Sequence, residues 1–402
     1  LVEQRAASWE QARAAAESAA RLEQLQALRW AGRTAAEPAP PPVEELAHFL
    51  QDSSIEVRLY VMRWIADERI GKLHGQLVEG LKGLPHVTPE LFFTWAAAIE
   101  ILDRGVPITA PNEPNPYLVQ AVLDPKTAPD LRTLALRFSP PDHKKLTLPL
   151  LTEFTRSDNG PFRREAVRTL ALRAAGDGQP LLASLAADGS ADPELRADAV
   201  AGLTSHAADH RTLLEKLATG DAPAVRVAAE RALRWAKPVP PSTDLPDPKD
   251  LDAWLKLTEK PGDAAAGWRV FFTGGALRCA ACHRFDGRGN TVGPDLTGIG
   301  RRLDRRRILE SILQPSREIA PQYVAWKMVT DDGRVLLGLS RGFNDAGTHE
   351  IFLGNDGKSF DLDVRRIAER SMSVVSLMPD GLQKVLTVDE LRDVLALLKS
   401  AD

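Results

Sequence analysis

Apolar side chains recur every three to four positions along most of the first 235 residues, a spacing that predicts amphipathic α-helices. The first helix is expected over residues 1–34, where Trp9, Leu22 and Leu25 lie at spacings suited to one helical face. We expect this face to pack against the rest of the chain. A coiled-coil contact with a partner is the alternative.

A short pattern repeats between residues 42 and 236. An Asp or Pro is followed within a few positions by an arginine, and in the last three copies an Ala-rich helix follows. The arginines are Arg58, Arg132, Arg163, Arg196 and Arg226. From Arg132 onward they recur roughly every 30 residues, a period typical of stacked helical hairpins. The pattern resembles HEAT repeats, which implies an α-helical solenoid that acts as a spacer or docking surface.

After residue 250, two helix signals flank a group of strand signals. A helix is predicted over residues 264–272, and the segment Thr387–Glu390 is a capping box that opens a final amphipathic helix. Between them, strands are expected at residues 325–330, 335–340, 349–353 and 359–362. Asp331-Asp332-Gly333 and Asn355-Asp356-Gly357 are hairpin signals between these strands. A small antiparallel sheet is therefore expected as an insertion at about residues 323–370.

Proline-rich segments at residues 37–42 and 237–249 are typical of stiff linkers and divide the chain. The predicted order is an N-terminal helix with its linker (1–41), a helical repeat domain (42–236), a second linker (237–249) and a C-terminal domain (250–402).

Composition excludes some classes of function. The formal net charge of −4 is not that of a nucleic-acid-binding chain, which usually carries a basic stripe, and no apolar run is long enough to span a membrane. Residue 1 is Leu, so we expect the numbering to begin after a signal peptide or within a trimmed or larger precursor.

The candidate chemistry lies in Cys279-Ala280-Ala281-Cys282-His283, which contains the only two cysteines of the chain. This order is required for covalent attachment of a c-type haem, with the histidine as an axial ligand of the iron. A disulfide or thioredoxin-type redox pair is an alternative. Half of a zinc site is a weaker one, because no second Cys pair exists and no further His lies at a suitable spacing.

Gly293-Pro294-Asp295-Leu296-Thr297-Gly298 follows and makes the C-terminal domain similar to class I cytochromes c. The resemblance implies that the carbonyl of Pro294 accepts a hydrogen bond from the second ring nitrogen of His283. It also implies that a methionine shortly before the last helix is the second axial ligand. Met378, in Ser376-Leu377-Met378-Pro379, occupies that place; Met372 is the alternative, and Met328 is expected in the core.

Other cofactor contacts are expected nearby. Tyr323 and Trp326 are candidates for hydrogen bonds to haem propionates. A dense basic cluster is either a solvated helix face, or contributes Arg301 and Arg302 to propionate binding or to steering an acidic redox partner. The cluster comprises Arg301, Arg302, Arg305, Arg306 and Arg307.

These motifs in order, with Ile312-Leu313-Gln314-Pro315-Ser316, resemble the haem-binding domain of cytochromes typical of planctomycetes and verrucomicrobia. The resemblance covers about residues 250–402 and implies one haem c, a periplasmic or other extracytoplasmic location, and a redox partner such as a sugar or alcohol dehydrogenase.

The expected fold is mainly α, a HEAT-like solenoid followed by a class I cytochrome c-like domain with an inserted β-sheet. The expected function is one-electron transfer, because two axial ligands leave no open site on the iron. A haem enzyme (peroxidase or oxidase subunit) and a haem-based redox or gas sensor are the alternatives. Peroxidases of the c type generally carry two haem motifs, whereas this chain has one.

Overall fold

The computed structural model describes residues 2–34, 43–84, 86–104, 116–174, 176–235, 245–275, 278–344, 346–354 and 356–400, without the side chains of residues 2–7. The chain is mainly α-helical with a small antiparallel sheet, as predicted. It forms two compact units, residues 1–145 and 146–402. Among the described residues, no helix combines the length and apolar character needed to cross a bilayer.

Unit 1 is helical throughout its described residues. The pattern predicts one helix for the N-terminal segment, but the structure has two. The first helix ends at Ala14 and the second begins at Ser18. Arg21 donates hydrogen bonds to the carbonyls of Ala15 and Ala16 at this break. The helices are α1 (Val2–Ala14), α2 (Ser18–Thr34), α3 (Val43–Phe49), α4 (Ile55–Asp67), α5 (His74–Val78), α6 (Pro89–Arg104), α7 (Pro116–Leu123) and α8 (Pro129–Phe138).

Unit 2 contains the remaining described helices. They are α9 (Leu148–Phe154), α10 (Gly160–Ala171), α11 (Gln179–Ala187), α12 (Pro193–Gly202), α13 (Arg211–Leu217), α14 (Pro223–Trp235), α15 (Leu251–Leu257), α16 (Ala264–Thr273), α17 (Ile299–Arg302), α18 (Arg305–Leu313) and α19 (Val388–Ser400). Helices on both sides of the proline-rich segment at 237–249 belong to this unit, and the domain boundaries stay a prediction. Residues 35–42, 236–244 and Asn355, which carry much of the predicted linkers and one hairpin signal, lie outside the described residues.

The recurring arginines make one kind of contact. Each donates a hydrogen bond to a backbone carbonyl at or just after the end of the preceding helix, where carbonyls lack partners within the helix. The acceptors are Asp52 for Arg58, Val122 for Arg132, Ser157 for Arg163, Ala186 for Arg196 and Gly220 for Arg226. This repeated contact explains why an arginine recurs near the start of these helices.

The strands form two antiparallel sheets in unit 2. A two-stranded ribbon comprises β1 (Arg284–Phe285) and β2 (Arg288–Gly289). The larger sheet comprises β3 (Trp326–Thr330), β4 (Val335–Phe343), β5 (His349–Leu353), β6 (Ser359–Asp363) and β7 (Ile367–Met372), in the order β6-β5-β4-β3-β7. The predicted inserted sheet is confirmed. The edge strand β7 was missed, because its side chains from Ala368 to Met372 are all exposed and lack apolar alternation.

The core of unit 2 lies where α16 and α19 cross. A Cβ at Gly267 would stand 2.1 Å from the carbonyl oxygen of Asp393, so only glycine permits this approach. Phe271, Leu309 and Leu395 are fully buried there. The predicted capping box begins α19: the Thr387 hydroxyl accepts from the Glu390 N–H, and the Glu390 carboxylate accepts from the Thr387 N–H.

Buried ion pairs connect α10, α12 and α14 to the helices around this core. Asp198 on α12 is completely buried and accepts hydrogen bonds from Arg164, Arg168 and Arg269. Arg231 on α14 lies 2.9 Å from Glu390 on α19, and both side chains are buried. Charges removed from water need such partners, so these contacts fix the helices relative to one another.

Candidate functional site

The segment Cys279–His283 is a single tight turn. Residues Cys279–Ala281 form a 3₁₀ turn, and the carbonyl of Cys279 accepts hydrogen bonds from the N–H groups of Cys282 (3.0 Å) and His283 (2.8 Å). Both cysteines are unpaired and partly buried. The Cys279 side chain packs against the core formed by α15, α16, α18 and α19, whereas Cys282 packs against a cluster beside the sheet.

A hairpin holds the residues after His283. Strands β1 and β2 are joined by Asp286 and Gly287, both with positive φ (47° and 78°), as a type I′ turn requires. Arg288 on β2 is buried and lies 3.0 Å from Glu165 on α10. Asp286-Gly287 is a hairpin signal that was missed in the sequence. The β1–β2 ribbon and the Arg288–Glu165 ion pair connect the Cys279–His283 turn to α10.

His283 is buried, with 9% of its surface exposed, and its ring orientation is fixed. Its Nδ1 lies 2.9 Å from the carbonyl oxygen of Pro294, the contact that the resemblance implies. Because a carbonyl only accepts, Nδ1 carries the hydrogen and donates. Burial lowers the pKa of His283, and the bond to Pro294 opposes this only in part. The imidazole is therefore neutral at neutral pH, with the lone pair on Nε2.

Gly293 makes room for this ring. A Cβ at residue 293 would lie 2.5 Å from Cε1 and 2.8 Å from Nδ1 of His283. Gly289 serves the same turn, since a Cβ there would lie 2.1 Å from the carbonyl oxygen of His283. Both glycines are thus required by the packing of His283.

The substitution Gly293→Ala is expected to displace the His283 ring and to lower the free energy of unfolding by about 1–3 kcal/mol, the cost of overpacking. Urea denaturation measures the change. Gly160→Ala is the matched control, because no atom lies within 4 Å of its added Cβ. Equal stability of the Gly293→Ala and Gly160→Ala variants would show that the ring is not confined as described.

A cavity of about 480 Å³ opens beside His283, within the range of ligand pockets. Its wall includes Cys282, His283, Pro294, Tyr323 and Met378. Much of the remaining wall is apolar and includes Ile299 of α17, Ile308 of α18 and Leu398 at the end of α19. Residues up to 116 positions apart in the chain, from Cys282 to Leu398, therefore meet around one apolar space.

The methionines after the cysteine pair occupy three different environments. Met378 is partly buried and lines the cavity. Met372 is 65% exposed at the end of β7, and Met328 is completely buried in the sheet, where the sequence predicts it. Met378 is thus the one of the three whose side chain reaches the cavity that His283 lines.

Both thiols differ from reactive redox cysteines. Burial raises the pKa of Cys279 to about 12 and also raises the pKa of Cys282. Thioredoxin-type cysteines instead have lowered pKa values that keep a thiolate at neutral pH. In the part of the chain that the structure describes, no cluster of three His, Cys, Asp or Glu side chains is arranged to hold a metal ion.

The predicted polar contacts are distributed unevenly. Tyr323 lines the cavity, whereas Trp326 on β3 lies below Arg370, whose guanidinium is 3.9 Å from the ring centroid. Arg301 and Arg302 are exposed and do not line the cavity; Arg302 donates to the carbonyls of Asp295 and Thr297. Trp326, Arg301 and Arg302 are therefore not brought together with His283.

Charged residues that the sequence did not single out line one side of the cavity. Glu310 is buried and forms ion pairs with Arg307 and Arg317, and Arg307 also pairs with Glu318. All of these residues contribute to the cavity wall. Arg307 was counted only as one member of a basic cluster. Glu310 is a charged residue within α18, and Arg317 and Glu318 lie in the turn after this helix, which has no pattern of its own.

A scan against protein-family models and a search of curated proteins found no match to this chain.

Proposed function

We propose that this chain is a monohaem c-type cytochrome that performs one-electron transfer, with haem c bound through Cys279 and Cys282. The observation that carries the proposal is the shared cavity: Cys282, His283 and Met378 line one apolar space of about 480 Å³. Bound haem would supply an iron that alternates between the ferric and ferrous states.

Cys282, His283 and Met378 in the cavity wall fit such a group, whereas Cys279 lies outside the wall and packs against the neighbouring core. His283 is neutral and has its lone pair on Nε2, because Nδ1 donates to Pro294, so it can act as a ligand of iron. Met378 offers a thioether, the second ligand typical of electron-transfer cytochromes c. The apolar part of the wall would lower the polarity around the iron, which together with a thioether ligand raises a reduction potential.

Carboxylate groups of the cofactor would need cationic or hydrogen-bonding partners at the cavity. Arg307 and Arg317 line it, and their guanidinium groups can each pair with a carboxylate in addition to Glu310. Tyr323 adds a hydroxyl to the same wall. These three side chains are better placed for this role than Arg301, Arg302 or Trp326.

The wider architecture belongs to the same proposal. The arginine contact that recurs at the end of successive helices supports a HEAT-like solenoid. The close crossing of α16 and α19 at Gly267 supports a class I cytochrome c-like domain. The electron donor would be a redox partner protein such as a sugar or alcohol dehydrogenase, in the periplasm or another extracytoplasmic space, docked on or near the repeats.

Substitution of Met378 tests the ligation. In oxidised haem-loaded protein, Met378→Ala is expected to abolish the sulfur-to-iron charge-transfer band at the red end of the spectrum and to lower the reduction potential, because the thioether is lost. Met372→Ala is the matched control, since Met372 is exposed and outside the cavity.

Persistence of the band in Met378→Ala, or its loss in Met372→Ala, would show that Met378 is not the ligand. Fast cyanide binding and turnover of peroxide by the unmodified protein would instead favour a haem enzyme.

A further inference from the structure

The segment that carries Met378 is exposed at its start and partly buried at its end. It follows β7 and is exposed at Val374 and Val375, which are 86% and 53% exposed. Leu377 and Met378 pack against two core clusters, which holds the end of the segment near the cavity. The backbone N–H groups of Ser376 and Met378 need acceptors as well, and their hydrogen bonds help to fix the conformation in which Met378 reaches the cavity.

Two hydroxyl groups in succession provide such bonds. The N–H of Met378 donates to Oγ of Ser376 at 3.1 Å, and the N–H of Ser376 donates to Oγ of Ser316 at 3.1 Å. The first bond lies within the loop. The second bond links residues 60 positions apart and fastens the loop to another element.

That element is firmly anchored. Ser316 lies in the turn that follows α18, where the N–H of Gln314 donates to the carbonyl of Glu310 at 2.8 Å. The side chain of Gln314 donates to the carbonyl of Pro248 at 3.0 Å. Ile308, Leu309, Ile312 and Leu313 bury the inner face of α18 in the core. Ser316 thus offers its oxygen from a rigid support.

We propose that Ser316 is a positioning residue that keeps Met378 at the cavity, by accepting the N–H of Ser376 and thereby ordering the loop. This role rests on the proposed function, in which Met378 would be a ligand of the haem iron. Ser316 does not contact the iron or the cofactor in this role; it acts through Ser376 and the backbone of Met378.

The consequence concerns the fraction of molecules in which the sulfur has left the iron. The substitution Ser316→Ala removes the acceptor of the Ser376 N–H and favours other loop conformations. Loss of one such hydrogen bond is expected to raise this fraction by roughly three- to tenfold. Cyanide binds only when the sixth position is open, so its rate of binding to oxidised protein should rise by the same factor.

The test compares cyanide binding rates of full-length haem-loaded protein with Ser316→Ala, Ser316→Thr and Ser373→Ala. Ser316→Thr keeps the hydroxyl and should bind within about twofold of the unmodified rate. Ser373→Ala is the matched control in the same loop, because the Ser373 hydroxyl contacts only the backbone of Val375 in its side-chain hydrogen bonds. Ser376→Ala, which removes the other hydroxyl, is the second variant should Ser316→Ala fail to fold.

Acceleration in Ser316→Ala or Ser376→Ala, with Ser373→Ala near the unmodified rate, supports the inference. Equal rates in Ser316→Ala and unmodified protein, or equal acceleration in Ser373→Ala, overturn it. Met378→Ala in the same assay distinguishes failure of the proposed Ser316 role from failure of Met378 as an iron ligand. If it binds cyanide much faster and Ser316→Ala does not, only the role of Ser316 fails; if it binds at the unmodified rate, Met378 is not a ligand and both fail.

Discussion

Asp198→Asn is expected to lower the free energy of unfolding of unit 2 by about 3–5 kcal/mol, the cost of removing one partner from a buried ion pair. Asp198 is completely buried, and its carboxylate lies 2.6 Å from Arg164, 2.9 Å from Arg168 and 2.8 Å from Arg269. The amide is nearly the same size but carries no charge. Urea denaturation of the full chain measures the loss.

The matched control is Asp209→Asn, the same change at a carboxylate whose side chain is 76% exposed. It should alter stability by no more than about 0.5 kcal/mol. A loss of less than about 1 kcal/mol in Asp198→Asn would show that the arginines satisfy their charges without this carboxylate.

Acid provides a second readout of the same variant. Burial alone would raise the pKa of Asp198, but Arg168, Arg164 and Arg269 more than offset this and hold it at about 2. The folded pKa is therefore below that of an unfolded aspartate, about 3.9. The stability that the ionised group contributes is complete above about pH 4 and is lost as the pH falls toward 2. The difference in stability between unmodified protein and Asp198→Asn should shrink over that interval.

Replacement of both cysteines should have the largest effect on the cofactor. Cys279→Ala/Cys282→Ala is expected to carry no covalently bound haem, because each thioether bond needs one of the two sulfur atoms. Each single variant keeps one sulfur and can form one bond, leaving one vinyl group of the porphyrin unreacted. The absorption maximum of the reduced single variants should then shift to longer wavelength.

The measurement is the haem that remains with the polypeptide after denaturing chromatography. Met372→Ala is the control, since it changes an exposed sulfur-containing side chain outside the cavity. Covalently bound haem in the double variant would contradict attachment through these cysteines.

Local patterns predicted much of unit 2. The helix predicted over residues 264–272 agrees with α16 (Ala264–Thr273), and the capping box marks the start of α19. The contact between His283 and Pro294 and the position of Met378 at the same cavity also agree with what the resemblance implies. The helix bounds and the capping box depend on short patterns whose effects extend over only a few positions, whereas the expected place of Met378 rests on the family resemblance.

Features that depend on distant partners were not predictable in this way. Arg269 and Asp198 are 71 residues apart, and a charged side chain on an amphipathic helix is usually assigned to solvent. Arg317 lies next to the cavity because of how the turn after α18 folds back, not because of a sequence pattern. Trp326 is a candidate for propionate contact because its indole N–H can donate, and the sequence did not indicate that Arg370 would lie over its ring.

The most direct test of the account is whether one haem stays on the chain after unfolding. Protein is produced in a bacterial host that matures c-type cytochromes, then unfolded and analysed by mass spectrometry and visible absorption. The account predicts a polypeptide heavier than its sequence by one haem, with the chromophore migrating with it. A polypeptide with the mass of the sequence alone, and with Cys279 and Cys282 as thiols or as a disulfide, would contradict it.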